Sequence, residues 1–369
     1  MFDLNERPFI VIWETTRACD LACVHCRANA QPDPLPGELD PAEGLDLVDA
    51  IAALGAAVLV FSGVDPLKRR DLPALIRRAK ERGLRVGTIP AATPRLTREA
   101  LQTLQDAGVD QIAFSLDVST AEAHDSFRGV PGAFAKTMAA VEWAHQLGLR
   151  LQINSVMSAY NWQDADRLIA LVRRLGIVFW EVFFLVPTGR GSALAGLSAA
   201  QYEQLFAKLY DVARTAPFTL KVTEAPHYRR YHLQQRLTEA GLQPQHLDWQ
   251  DAQMPPELRR MTDPQGSIGL APHSINAGKG HLFIAYNGAV YPSGFLPVSA
   301  GNVRTHRLQW LYQSSPLFQL LRDPDALKGR CGACEFRSIC GGSRSRAYAL
   351  TGDYLAEDPC CAYQPLAVV

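Results

Sequence analysis

Three cysteines near the start of the chain, Cys19, Cys23 and Cys26, form a C-x3-C-x2-C array. Three thiolates can hold three irons of a cubane iron–sulfur cluster. The fourth iron then has no protein ligand. An open iron can bind a small molecule and pass it an electron, which a cluster with four cysteine ligands cannot easily do. A zinc knuckle or three buried thiols are the other readings of this spacing. A second group, Cys331, Cys334 and Cys340, is spaced C-x2-C-x5-C and is followed by the adjacent pair Cys360 and Cys361. Four thiolates can close a four-coordinate site for zinc or for a 4Fe–4S cluster. All 8 cysteines lie in these two groups and the long middle of the chain has none, which fits metal sites better than a disulfide framework. Low-potential clusters need reducing surroundings, so a cytoplasmic location is expected.

The first cysteine group directly follows a strand-like run, Phe9–Trp13. Five further runs rich in Val, Ile, Leu and Phe follow: Ala57–Ser62, Arg85–Ile89, Gln111–Leu116, Arg150–Val156 and Val178–Val186. Between them lie amphipathic segments, Ala42–Leu54, Leu72–Arg82, Arg98–Ala107, Ala133–Leu147 and Ala165–Leu175. Each of these ends in glycine, at Gly55, Gly83, Gly108, Gly148 and Gly176, where a left-handed helix cap costs little. Repeated helix, glycine and strand argue for β/α units and a parallel sheet. Six strands are too few for a closed eight-stranded barrel, so the expected fold is α/β, a partial (β/α)6 barrel over residues 1–230. Sites in parallel α/β sheets lie at the strands' carboxyl ends, where the first cysteines stand. Residues 231–266 read as a bridging insert rich in Gln, Glu, Pro and Leu. Residues 267–369 read as a small C-terminal domain. Its runs His281–Tyr286 and Ala289–Pro292 flank Asn287-Gly288, which predicts a hairpin with a two-residue type I′ turn.

The chain has 369 residues, 47% hydrophobic and 20% charged, as in a soluble globular protein. Its formal net charge is +0, so nothing points to nucleic acid or an anionic membrane. No secretory signal opens the sequence, and no run of about 18 apolar residues suggests a membrane span.

The Cys19–Cys26 array resembles the cluster loop of radical S-adenosylmethionine (SAM) enzymes. The resemblance implies a 4Fe–4S cluster whose open iron is chelated by SAM's amino and carboxylate groups. An electron then cleaves SAM to methionine and a 5′-deoxyadenosyl radical. The family's Gly-Gly-acid-Pro motif is matched by Ser62, Gly63, Asp65 and Pro66, with Val64 at the second glycine position. The resemblance assigns SAM's amino group to Ser62, Gly63 and Asp65. It assigns the methionine carboxylate to Ser115 and Arg128, and further SAM contacts to Asp117 and Asn154. Arginine suits a carboxylate because its planar fork binds bidentately. His25 stands at a position more often aromatic. The tail resembles the shortened auxiliary-cluster (Twitch, SPASM-like) domain of these enzymes, which implies an auxiliary 4Fe–4S cluster on Cys331, Cys334, Cys340 and Cys361. Cys361 fits the family spacing better than Cys360.

The run Tyr291–Pro297, then Gly301–Arg304, and Thr223–Arg230 with the cysteine tail look like the haem and haem d1 biosynthesis group, alternative-pathway haem synthases included. That resemblance implies oxidative decarboxylation of propionates on a tetrapyrrole of the iron-coproporphyrin III type. The auxiliary cluster would take the surplus electron, and a flavodoxin or ferredoxin would supply the first one. A tetracarboxylate needs cations, for which Arg229, Arg230, Arg344 and Arg346 are candidates, with His227 for a haem iron. Two rivals follow from the same residues. A peptide-modifying enzyme often carries a recognition domain before the barrel, whereas only about eight residues precede the first strand here. A SAM-less electron carrier is motivated by Val64.

Overall fold

The computed structural model describes residues 3–241, 267–271 and 274–366. Seven parallel strands run in chain order: β1 (Ile10–Glu14), β2 (Val58–Ser62), β3 (Arg85–Thr88), β4 (Gln111–Ser115), β5 (Leu151–Met157), β6 (Phe179–Phe184) and β7 (Thr219–Thr223). Eight helices alternate with or follow them: α1 (Pro41–Ala53), α2 (Leu72–Glu81), α3 (Arg98–Asp106), α4 (Ala121–Arg128), α5 (Ala133–Gln146), α6 (Ala165–Val172), α7 (Ala199–Thr215) and α8 (His227–Glu239). The five glycines that close the expected helices all have positive φ, from 61° to 96°.

The fold is the expected α/β arrangement, with one strand more than the six counted from sequence. β7 reads Thr-Leu-Lys-Val-Thr and pairs in parallel with β6. It escaped a search for continuous apolar runs because it is the last strand of its edge and turns Lys221 and Thr223 inward. On the other side of β1 the sheet continues into β9 (Gly280–Ile284), also parallel, then β10 (Ala289–Tyr291) and β11 (Gly301–Asn302), both antiparallel; β8 (Asn276–Ala277) flanks β9. Thus the C-terminal segment extends the barrel sheet rather than sitting apart from it. Helix α8 runs through residue 231, where the insert was expected to begin. The rest of that insert, 242–266, lies outside the described residues.

Side chains alternate along each strand, and the two faces differ. Val11, Trp13, Leu59, Phe61, Ile112, Phe114, Ile153, Trp180 and Val182 point outward into one apolar core with the helices. The intervening residues, among them Ile12, Val60, Ala113, Gln152, Glu181 and Lys221, line a single cavity with β9's His281 and Phe283. Strands at opposite ends of the row share that cavity, so the sheet curls around it. Phe9, Ile10, Val58, Ile268 and Ile275 pack together at its amino-terminal end. Among the described residues no helix is long and apolar enough to cross a membrane.

The hairpin forms at the expected place with a different turn. Ala285 N–H donates to Ala289 O at 2.8 Å and Gly288 N–H to Ala285 O at 2.9 Å, which leaves a three-residue loop. Only Gly288 has positive φ, 82°; Asn287 does not, as a type I′ turn would require. A Cβ at Gly288 would lie 2.9 Å from both Asn302 Oδ1 and Val303 Cγ2. Gly288→Ala should therefore cost about 1–2 kcal/mol or more in urea unfolding. A shift below about 0.5 kcal/mol would contradict this turn geometry.

Candidate active site

The loop after β1 carries Cys19, Cys23 and Cys26, all buried and all lining one cavity of about 220 Å³. Its path is fixed by backbone contacts. Cys19 N–H donates to Gln31 O at 2.8 Å, and Ala22 and Val24 N–H donate to Arg128 O and Phe127 O at the end of α4. Arg190 donates to Cys26 O through its backbone N–H (3.0 Å) and to Cys23 O through Nε (2.9 Å). Two glycines press on the loop. A Cβ at Gly129 (φ 69°) would stand 2.5 Å from Ala22 O, and one at Gly189 (φ 55°) 2.4 Å from Arg27 O. Neither backbone leaves room for a side chain.

The sulfurs suit metal better than free thiol chemistry. Burial pushes the Cys19 thiol up to about 12 and also raises Cys23, although Arg128 Nη1 lies 3.8 Å from its sulfur. Buried thiols of this kind ionise only when a cation takes the proton's place. Backbone N–H groups aim at sulfur: Leu21 at Cys19 (3.3 Å) and Ala30 at Cys26 (3.5 Å). Such bonds favour thiolate and tune clusters. Among the described residues no three His, Cys, Asp or Glu side chains converge on a point that would hold one ion. Ligands that each take a separate iron of a cubane need no such convergence.

The segment after β2 is zipped to the cluster loop. Thr15 N–H donates to Ser62 O, Val64 N–H to Thr16 O and Asp65 N–H to Ala18 O, at 2.8, 3.1 and 3.1 Å. Ser62, Gly63, Val64, Ser115, Asp117, Arg128 and Asn154 line the same cavity as the three cysteines. Val64 has no positive φ, so its backbone demands no glycine, and its side chain packs with Ala91 and Val130 against the cysteine loop.

Asp65 and Arg128 stand differently from expectation. The Asp65 carboxylate is off the cavity and accepts from Thr93 Oγ1 (2.7 Å), Leu67 N–H (3.2 Å) and Ala91 N–H (3.4 Å). It fixes the 91–93 turn behind the cavity rather than facing a ligand. Arg128 forms a buried ion pair with Asp117, leaving only its Nε without a partner in the chain. Burial alone would raise the Asp117 carboxyl, but the Arg128 guanidinium, His25, His124 and the Val156 N–H together hold its pKa down. His25 stacks on Phe127 at 4.2 Å, and burial lowers its pKa to about 3, so the ring is neutral.

The barrel cavity, also about 220 Å³, adjoins this one, and Arg27, Ser62, Ile89, Phe183 and Phe295 line both. Its wall is apolar on the β1–β3 side. On the other side Glu181 accepts from Gln152 Nε2 (3.1 Å), Thr223 Oγ1 (2.6 Å) and Lys221 Nζ (2.9 Å). Arg27 bridges Glu14 Oε1 (2.8 Å) and Gly294 O (3.1 Å) with its guanidinium 4.5 Å from the Phe283 ring centre. Sequence reading missed Arg27, Glu181, Lys221 and His281. Inward alternation along a curled sheet is the signal that points to the strand residues among them.

Of the cations expected around a substrate, only Arg229 reaches this cavity, donating to Ile275 O and Ile339 O at 2.5 and 3.3 Å. Arg230 pairs with Glu203, Arg346 with Asp358 (3.0 Å), and Arg344 donates to Tyr354 O and Ala356 O. His227 is enclosed beside Tyr202 and Phe206, its pKa lowered to about 3 by burial. These four brace the tail instead. There Cys331, Cys334, Cys340 and Cys361 line one small cavity with His227, Arg230 and Asp358. Cys360 is turned away, its Sγ 3.9 Å from Leu197 O. As in the first loop, N–H groups meet sulfur: Gly342 at Cys340 and Asp358 at Cys331, both 3.4 Å.

Comparison with known proteins agrees with this geometry. The radical SAM superfamily model matches residues 13–177. The chain belongs to the radical SAM superfamily, whose members are enzymes that use a 4Fe–4S cluster and SAM. Within it, the AdoMet-dependent heme synthase of Methanosarcina barkeri is 38% identical over 372 residues, 99% of each chain. That of Oleidesulfovibrio alaskensis is 38% identical over 358 residues, 96% of this chain and 87% of the other. In fold, Streptococcus suis SuiB bound to S-adenosylmethionine superposes with a TM-score of 0.70 at 14% identity, over 97% of this chain and 78% of SuiB.

Gly189→Ala should displace the Cys26–Arg27 backbone and lower the iron and sulfide held per chain after anaerobic reconstitution. Gly148→Ala, where φ is also positive but nothing lies within 4 Å, should leave both unchanged. Equal iron content in the two variants would show that Gly189 does not set the loop.

Proposed function

We propose that this chain cleaves SAM reductively and oxidatively decarboxylates propionate side chains of an iron-coproporphyrin III-type tetrapyrrole. The observation that carries the reading is the pair of joined cavities, one lined by three cysteines and the other apolar with Arg27, Lys221 and Arg229 on its wall. The full-length similarity to AdoMet-dependent heme synthases supports it. When bound, cluster and SAM would supply a 5′-deoxyadenosyl radical, the reagent able to remove a hydrogen atom from a propionate β-carbon. Loss of CO2 leaves a vinyl group and one surplus electron per propionate.

The protein's part is position and exclusion of water. Cys19, Cys23 and Cys26 hold the cluster. Ser62, Gly63, Ser115 and Asn154 line the space for SAM. Asp65 acts through the turn it fixes, and Asp117 through Arg128. Phe183 and Phe295 stand where the two cavities meet and keep the radical's path to substrate dry. Cys331, Cys334, Cys340 and Cys361 would hold an auxiliary cluster able to accept the surplus electron, with a reduced flavodoxin or ferredoxin as the source of the first.

Anaerobically reconstituted protein given SAM, reductant and iron-coproporphyrin III should yield haem or its monovinyl intermediate together with 5′-deoxyadenosine by mass spectrometry. 5′-Deoxyadenosine with unchanged porphyrin would move the search to other tetrapyrroles or a peptide. Cys23→Ala should abolish SAM cleavage, whereas Cys334→Ala should keep uncoupled cleavage and lose product. Cys361→Ala should lose the auxiliary iron that Cys360→Ala retains; the reverse result would exchange the two assignments.

A further inference from the structure

We propose that His281 is the axial ligand through which this chain holds the central iron of its substrate. The inference rests on the tetrapyrrole reading above and goes beyond it in naming the atom that grips the metal. His281 lies on β9, opposite Ile10 of β1, and its ring lines the barrel cavity.

The hydrogen bonding of the ring sets its chemistry. Nδ1 is 3.0 Å from the carbonyl oxygen of Pro292, which can only accept, so Nδ1 carries the proton and Nε2 keeps its lone pair. The Pro292 carbonyl also takes the Gly278 N–H at 3.0 Å, which fixes the partner and with it the ring. A histidine whose far nitrogen donates to a backbone carbonyl is the usual arrangement of a metal ligand. Nε2 makes no hydrogen bond to any described residue and is not among the enclosed, unpartnered nitrogens. It is therefore open to the cavity.

The surroundings suit a flat, iron-bearing polyanion. Ile12, Val60, Phe283 and Phe295 give apolar wall, while Lys221 and Arg229 supply positive charge at the margin. Burial holds the His281 pKa near 4, so the lone pair is free across the neutral range. No other described histidine combines these features. His227, the candidate read from sequence, lines the tail cavity with both ring nitrogens enclosed. His25 and His124 face the cysteine cavity.

The test compares wild-type protein with His281→Ala, each titrated anaerobically with ferric iron-coproporphyrin III and, separately, with metal-free coproporphyrin III. Visible difference spectra and electron paramagnetic resonance report the iron's ligands. The wild type should give a histidine-ligated ferric spectrum. His281→Ala should lose that spectrum and bind the iron porphyrin about 10-fold or more weakly. It should bind metal-free coproporphyrin nearly as well as wild type, and added imidazole should restore the signal. An unchanged spectrum in His281→Ala would overturn the ligand assignment and leave the tetrapyrrole reading standing. Failure of the wild type to bind either porphyrin would overturn that reading and this inference with it. Should alanine at 281 prevent folding, His281→Met decides: a thioether-to-iron charge-transfer band supports the assignment, and a water-ligated spectrum refutes it.

Discussion

A loop that commits three side chains to metal must be held by its backbone, and the rest of this structure follows from how that is done. The Cys19–Gln31 segment has few side-chain anchors of its own. Its carbonyls are instead taken by Arg190, its N–H groups by the end of α4, and its outer surface by the bare backbones of Gly129 and Gly189. Those partners come from two other β/α units: the α4 end and Gly129 follow β4, and Gly189 and Arg190 follow β6. The loop's position is thus a readout of the whole curled sheet, since a shift of β4 or β6 against β1 would move one jaw of the clamp. The Ser62–Asp65 segment is tied on by the same means, through bonds that prolong the β1–β2 pairing past the strand ends.

Buried charge is the second thing the fold has to settle. An unpaired ion in such an interior is costly, and two of the buried ion pairs also reach a sulfur. Arg128 joins Asp117 to Cys23, and Asp358 joins Arg346 to Cys331. The two cysteine groups therefore share a device: a carboxylate–guanidinium pair set beside thiolates. Glu224 links the second pair to the barrel cavity. Its backbone has φ 58°, uncommon outside glycine. Its carboxylate takes Ser293, Ser343 and Ser345 hydroxyls, and its carbonyl takes Arg346. Ser343 N–H in turn reaches Asp358 Oδ2 at 2.9 Å. A continuous set of hydrogen bonds thus runs from the barrel cavity wall to Cys331.

What could be read from sequence divides along a physical line. The β1–β6 strands, five of the helices and both cysteine groups announce themselves locally, through apolar runs, glycine caps and spacing. The orientation of single polar side chains does not. Asp65 sits in a motif where an acid is expected at the ligand, yet Thr93, 28 residues on, captures it. Arg230, Arg344 and Arg346 look free in sequence because Glu203, the 354–356 carbonyls and Asp358 are distant along the chain or on another element. The hairpin was legible as a hairpin, but its loop length depended on the Ala285–Ala289 pairing, which is a property of two strands and not of Asn287-Gly288.

The cavity's own charges explain why its cations could be overlooked and still serve a polyanion. Lys221 rests against Glu181, so this part of the wall carries a neutral pair. A propionate arriving at Lys221 competes with Glu181 for the same ammonium. Glu181 can yield it because Thr223 and Gln152 continue to donate to its carboxylate, which lowers the cost of losing one partner. Arg229 keeps its place by donating to two backbone carbonyls, neither of which needs a charge in exchange. The positive charge that the proposed tetracarboxylate would meet is therefore held in an ion pair and in carbonyl contacts. Phe283 and His281, two residues apart on β9, share one face of that strand, so the aromatic wall and the imidazole stand side by side in the barrel cavity.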